Sequence, residues 1–560
     1  MFSGRLFVFS VLCWPVFAVP TANDWQNLAD SLNGRLHTAL PFASSCFSTV
    51  NGISSTPNET ECAQVQADYT NATVRSSHFS AYTMPQWETC QRTSKRCLLD
   101  PSNTSNPAAF EGSDCLQGSV SYTLCIDVQS AEDVQKAYEF SKATGIPLSI
   151  KASGHDYKGR SSLRGSLSLW TRNIGGLKYS ADFVPEGGDK SYRAITMGAG
   201  VTFQDVYEFA DANNVTIIGA YHQTAADGLW RGGGHSVLTP VYGLGVDRVL
   251  QFKIVTPDGE LRVANEFQHP DLFWALRGGG GSTFGVVLES SMLVEPRMSL
   301  TSAAISFPQT AENGVSFLKL LVDHTYRWGT EGWGGHMRSN GIINVNPLLT
   351  LEEAQVSVQP IVDYALAQNG TAVVEELPSW MAFFTKYVLS AEAAKTTLGS
   401  RLIPTDKFTT DSGKARLLDI LTRMVQQFSI NPYIVFGTPF LYNHTEGSTS
   451  VTPAWRNALW HMSSSRTFSW NSTAIDMWTQ YEFVSTITQS LREFSLDSGV
   501  YLNECDVYEP NHEEAFWGAN YARLVPIKKQ YDPFHLLDCW MYELLVGWKG
   551  SLDERYSCYL

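Results

Sequence analysis

The most regular patterning of apolar and polar positions lies between about residues 121 and 290. An apolar run over 122–128 predicts a strand. Ser130, with Asp133 three residues on, marks a helix start, and Val134, Ala137, Tyr138 and Ala143 continue at helical spacing until Gly145. A short strand over 147–150 completes a β-α-β unit. It runs into a turn of small residues, Lys151-Ala152-Ser153-Gly154-His155-Asp156, followed by Tyr157 to Ser161. The pattern then repeats, with a strand over 194–197, a helix capped by Thr202 with Val206 and Phe209 inward, and a strand over 215–218. Alternating runs over 249–255 and 261–264, joined by Pro257-Asp258-Gly259, predict a hairpin, and 286–288 predicts a further strand.

Outside this segment the texture changes. Residues 19–118 are rich in Ser, Thr, Asn and Pro, with one short helix predicted over 24–36. From about 299 to 490, strands predicted over 302–307, 354–362 and 433–440 alternate with helices over 313–326 and 413–427, the pattern of a separate α+β domain. Residues 499–506 read as a strand and 517–533 as helical. The divisions are therefore 1–18, 19–118, 119–298, 299–490 and 491–560.

Composition restricts the function classes. Forty Lys and Arg against 55 Asp and Glu give a net charge of −15, which argues against nucleic acid or an anionic membrane as the main partner. Arg5, the apolar run over 6–17 and the small-residue end at Ala18 predict a cleaved secretory signal and an extracellular, soluble chain. Sequons at Asn58, Asn71, Asn103, Asn214, Asn369, Asn443 and Asn471 are glycan acceptors in that setting. Cys46, Cys62, Cys90, Cys97, Cys115 and Cys125 then read as a disulfide framework for the N-terminal region, with pairing open and one of nine mature cysteines left over. Close C-x-x-C pairs are lacking, so no metal is expected.

The glycine-rich turns carry the chemistry. Backbone N–H groups approach a phosphate closely where no Cβ intervenes, so the turn at Gly154 and the runs Gly232-Gly233-Gly234-His235-Ser236 and Gly278 to Gly285 suit a dinucleotide held by several separated turns. Gly278 to Gly285 offers G-x-G-x-x-G spacing, but it follows a helix, leads into a strand and has no acidic residue about 20 positions on, unlike a nicotinamide fingerprint. No G-K-[ST] or G-x-S-x-G follows any of the runs.

Four ordered motifs resemble the vanillyl-alcohol-oxidase type FAD-linked oxidases, and most nearly their berberine-bridge-enzyme-like branch and its fungal isoamyl-alcohol-oxidase relatives. They are Lys151 to Ser161; Gly232 to Ser236 with Gly243, Leu244 and Asp247; Asp271 to Val286; and Tyr501-Leu502-Asn503-Glu504. The resemblance covers essentially the mature chain. It implies an α+β fold in which a bipartite FAD-binding domain of the PCMH type, residues 119–298 and 491–560, is interrupted by a substrate-binding domain with an antiparallel sheet. It implies that His155 is joined to the flavin 8α-methyl. Ala152, Ser153, Gly154 and Asp156, together with Lys151, Gly233, Gly234, Gly279, Gly280 and Val286, would hold the dinucleotide, and Asn503 would meet the flavin pyrimidine. Many relatives carry a second, cysteinyl link twelve residues before the G-G-G-H run, where this chain has Ala220, so a single histidyl link is expected.

The implied activity is a secreted, monomeric FAD oxidase acting on an alcohol or small secondary metabolite, with O₂ as acceptor. Oxidative ring closure and a non-catalytic binding glycoprotein are the alternatives. Glu504 is the first candidate base, with a pKa raised by burial, and Tyr501 accompanies it. His235 and His222 are second candidates, and Tyr442 and Trp230 candidate pocket residues. If Tyr501 to Glu504 is a strand, its period of two lets only one of the pairs Tyr501/Asn503 and Leu502/Glu504 face the ring.

Overall fold

The computed structural model describes residues 20–558 apart from 95, 117–123, 227, 390–393, 395 and 539–557. The leader over 1–18 and Cys539 lie outside the described residues, as does the start of the strand predicted over 122–128.

The first sheet combines the extension with the first β-α-β unit. Its strands are β1 (Leu36–Thr38), β2 (Leu124–Asp127), β3 (Leu148–Lys151) and β4 (Leu167–Trp170), in the order β1-β2-β4-β3. Helix α1 (Ala131–Thr144) connects β2 to β3. Ser130 and Asp133 form the expected capping box, and Gly145 ends the helix in the left-handed region at φ 73°. A second sheet contains β5 (Leu177–Phe183), β6 (Tyr192–Gly198), β7 (Val249–Val255), β8 (Leu261–Ala264) and β9 (Val286–Leu293), in the order β8-β7-β9-β6-β5. Thr202 caps α2 (Phe203–Ala212) with Asp205. The hairpin β7-β8 has the predicted bounds, whereas the strand predicted over 215–218 is only Val215–Thr216 and the helix predicted over 24–36 is Ala22–Ser31.

A third, antiparallel sheet of seven strands is built from residues 300–467. In chain order its elements are β10 (Leu300–Ser306), α3 (Ala311–Glu331), β11 (Gly334–Arg338), β12 (Gly341–Asn346), α4 (Leu351–Ala367), β13 (Thr371–Leu377), β14 (Thr396–Pro404), α5 (Asp411–Gln426), β15 (Tyr433–Phe436) and β16 (Ala458–Thr467); α6 (Ala474–Phe494) follows. The strand order is β13-β10-β12-β11-β15-β16-β14. Alternation splits the sheet into two faces. Met337, Ile434, Phe436, Trp460 and Met462 share one apolar core with Phe317 and Leu321 of α3, Val358 of α4, Leu417 of α5 and Leu491 of α6. The intervening residues of β11, β15 and β16 point the other way, towards the N-terminal sheets.

Two predicted strands are not strands. Residues 354–362 lie inside α4, because Thr350 and Glu353 form a capping box and Ala354, Val358, Ile361 and Ala365 fall on one buried helical stripe. Val356, which made the run look alternating, is 69% exposed. Residues 501–504 form a turn in which the Glu504 N–H donates to the Tyr501 carbonyl at 2.9 Å. The disulfides also depart from an N-terminal framework. Cys46 pairs with Cys62 and Cys97 with Cys115, but Cys90 reaches Cys558 at the other end of the chain. Cys125, on β2, is a buried free thiol, as is Cys505.

Candidate functional site

A cavity of about 420 Å³ opens between the face of the seven-stranded sheet and the turn that follows β3. Asp156 shapes that turn. Its carboxylate accepts from the N–H groups of Lys158, Arg160 and Ser161 at 3.0, 2.8 and 3.2 Å and is paired with the Arg160 guanidinium. Gly154, at φ 78°, is required for the reversal, since a Cβ there would lie 2.7 Å from Lys151 Cε. The turn thereby presents Ala152, Ser153, Gly154, His155 and Asp156 along one wall. The Nδ1 atom of His155 is buried and has no hydrogen-bond partner among the described residues. Burial pushes the His155 pKa down, against the pull of Glu504 and Asp156, so the imidazole is neutral.

The C-terminal turn closes onto this wall. Asn503 Oδ1 accepts from the Tyr157 N–H at 3.3 Å and from Arg160 Nη2 at 2.5 Å, locking the two motifs together. Because 501–504 is a turn, Tyr501, Leu502, Asn503 and Glu504 all line the cavity, and the either/or of a strand does not arise. Glu504 Oε1 is 3.2 Å from His235 Nε2, and its Oε2 is 3.7 Å from His461 Nδ1. Burial raises the Glu504 pKa, but the His235 hydrogen bond and the neighbouring imidazoles outweigh it and hold the carboxyl at about 2, so the expected upward shift is overturned. His461, from β16, is fully buried, exchanges a 2.8 Å hydrogen bond with Ser400 of β14, and is pushed down to about 4 by burial.

His235, His461 and Glu504 offer ligand atoms within 4.8 Å of one another, the one such metal-capable set among the described residues. In the structure the three are linked through Glu504, which lies 3.2 Å from His235 and 3.7 Å from His461.

The remaining wall comes from the sheet and carries residues that the sequence patterns had not singled out. His336 and Arg338 of β11, Tyr433 and Val435 of β15, and Ser463 and Ser465 of β16 line the cavity. His336 Nδ1 is hydrogen-bonded to the Tyr433 hydroxyl. The detectable signal was polar residues alternating with core residues in Gly-Gly-His-Met-Arg and Trp-His-Met-Ser.

Several residues expected at the dinucleotide are off the lining of this cavity. Lys151, Gly233, Gly234, Gly279, Gly280 and Val286 do not line the cavity. Lys151 Nζ is buried and donates to the carbonyls of His78, Phe79 and Ala81, which ties the extension to β3. The carbonyls of Gly233 and Gly234 accept from Val246 and Gly245. Gly279 caps the preceding helix at Ala275, Gly280 donates to the Arg231 carbonyl, and Val286 is core. Gly281 and Ser282 are the residues of that run on the cavity wall. Tyr442 packs on Gly243 and Trp230 on Gly245 and Phe203, both outside the lining. His222 does line it, 4.4 Å from His155 between ring centroids, beside Ala220. Cys505 is buried outside the lining, with its thiol directed at the Leu502 carbonyl at 3.4 Å.

Comparison with known proteins agrees with this arrangement. Residues 123–265 match the FAD binding domain family and residues 500–538 the berberine and berberine-like family. A FAD-linked oxidoreductase of Pyricularia oryzae, OXR2, is 40% identical over 97% of this chain and 95% of its own length. Another, cheF of Chaetomium globosum, is 40% identical over 98% of this chain and 90% of its own. The crystal structure of the VAO-type flavoprotein MtVAO615 from Myceliophthora thermophila superposes with a TM-score of 0.81 at 25% identity, covering 94% of this chain and 96% of that one. The glucooligosaccharide oxidase of Acremonium strictum, described with a 6-S-cysteinyl, 8α-N1-histidyl FAD, gives 0.63 at 18% identity over 75% and 91%, a likeness of fold. With two family matches at the turns that form the cavity, and relatives of its own length at this identity, the chain belongs to the VAO-type, berberine-bridge-like FAD-dependent oxidoreductases.

Proposed function

We propose that this protein is a secreted oxidase that converts an alcohol, or a small secondary metabolite with an oxidisable C–H bond, using FAD joined covalently and singly to His155 and O₂ as acceptor. The observation that carries the reading is the buried, unpartnered, neutral Nδ1 of His155 on the wall of the cavity that also holds Glu504. A neutral ring nitrogen with no protein partner is a nucleophile kept available for a cofactor methyl group. Ala152 to Asp156, with Gly281 and Ser282, fit the polar part of the dinucleotide, since small residues line the wall there and leave room for a phosphate to approach the backbone. Bound FAD supplies the hydride acceptor.

The chain's own residues handle the proton. Glu504 is ionised throughout the ordinary pH range, and at about 2 it is too weak a base to keep a proton alone. His235, hydrogen-bonded to it, is the group on which the substrate's hydroxyl proton comes to rest, balanced by the adjacent carboxylate. Tyr501 packs edge-on against His235 at 5.1 Å and holds the imidazole in place. Ala220 offers no sulfur for a second link, and Cys505 is not among the residues that line the cavity. Residues 119–298 and 491–560 then form the FAD-binding unit, and 299–490 covers it on the substrate side.

The test is flavin retention. Acid-precipitated wild-type protein keeps its flavin colour, and His155→Ala releases all of it to the supernatant. A His155→Ala protein that still holds flavin covalently overturns the single-link assignment.

A further inference from the structure

The sheet wall carries a second arrangement, distinct from the Glu504 cluster. The His336 ring is held between Tyr221, with centroids 4.0 Å apart, and Tyr433, at 5.1 Å. Burial holds the Tyr433 hydroxyl protonated and the His336 imidazole neutral. Tyr433 and His336 Nδ1 share a hydrogen bond, in which the protonated Tyr433 hydroxyl is taken as the donor. The remaining proton of the neutral ring therefore sits on Nε2, which is buried and has no partner among the described residues. An N–H in that position is costly unless something in the cavity accepts from it.

Arg338 is two residues further along β11 and on the same face, with its guanidinium 4.4 Å over the Tyr433 ring. It is exposed at the cavity mouth and has no carboxylate partner among the described residues. The two described carboxylates on the cavity wall are already engaged, Asp156 by Arg160 and Glu504 by His235. Both donors of β11 are thus left for a ligand.

We propose that His336 Nε2–H and the Arg338 guanidinium form a receptor for an oxygen anion, so that the substrate carries an acidic oxygen, a carboxylate or an enolate, in addition to the carbon that is oxidised. Tyr433 is a positioning residue that fixes the His336 tautomer and supports Arg338 from below. The inference rests on the reading of this cavity as the substrate site. It deepens that reading by assigning the anion to His336 and Arg338 of the sheet wall and leaving proton transfer to Glu504 and His235.

Benzoate, with benzamide as its neutral counterpart, tests this by calorimetry on the full flavin-bearing protein. Benzoate binds at least tenfold more tightly than benzamide, and Arg338→Met and His336→Phe each weaken benzoate about tenfold or more while leaving benzamide unchanged. Tyr433→Phe gives a smaller loss, because the His336 tautomer is no longer fixed. Equal binding of the two probes, or wild-type benzoate affinity in Arg338→Met, overturns the proposal. Arg338 is exposed, so its replacement leaves the fold intact. Calorimetry reads anion binding whatever the cofactor state, and the flavin spectrum of the same sample reports separately on the function proposed above.

Discussion

The two walls of the cavity are made by different means. The wall at 152–156 is a backbone structure: a left-handed glycine, a carboxylate accepting from three consecutive-turn amides, and a histidine displayed by the turn they shape. The opposite wall is a flat sheet face whose backbone is ordinary and whose chemistry resides in side chains two apart, His336 and Arg338, Tyr433 and Val435, Ser463 and Ser465. Glu504 joins them, bonded to His235 and lying 3.7 Å from His461 of the sheet. A substitution in the backbone turn of the first wall, His155 aside, should therefore act through the fold, and one on the second wall through the chemistry.

The largest effect is expected where the walls meet. Glu504→Gln keeps the shape but removes the charge that balances a proton on His235, and should slow anaerobic flavin reduction by roughly 10²–10⁴-fold. Stopped-flow reduction within tenfold of wild type would separate Glu504 from the chemistry. The same carboxylate has a stability signature. Its pKa is depressed from 4.5 to about 2, so its contribution is fully present above pH 4.5 and is lost as pH falls through 2. That contribution amounts to roughly 3 kcal/mol, and denaturation midpoints of wild type and Glu504→Gln should differ less at pH 2 than at pH 6.

Gly154→Ala probes the backbone wall. A left-handed alanine costs about 1–2 kcal/mol before any clash with Lys151, so melting temperature and flavin retention should fall together. Ser400→Ala probes the side-chain wall and is the mildest: it removes the hydrogen bond to His461 at a cost of about 1 kcal/mol, with flavin content unchanged and turnover reduced up to about tenfold. Flavin loss in Ser400→Ala would erase the distinction between the walls.

The comparison also explains what could be read in advance. The turn at His155 was legible because its information is local: a capped helix, a glycine stop, a strand and a small-residue reversal follow one another in the chain. Residues 354–362 were misread because Val356 completes an alternation that only burial distinguishes from the helical stripe of Ala354, Val358 and Ile361. The turn at 501–504 was misread because Asn503 is held by Tyr157 and Arg160, partners more than 340 residues away in the chain.

By itself the sequence determined the family, the β-α-β unit that leads to His155, the glycine-rich turns and the histidine they present, whereas the strand at 215–216 closes no second unit, because it pairs antiparallel with Glu295–Pro296 in a separate sheet. Only the tertiary structure decided which residues share the cavity. His235 and Glu504 are 269 positions apart, and His336 and Tyr433 are 97. Their meeting depends on strand register and on how the sheet face closes over the opening turn, and long-range packing of that kind leaves no local pattern in the chain.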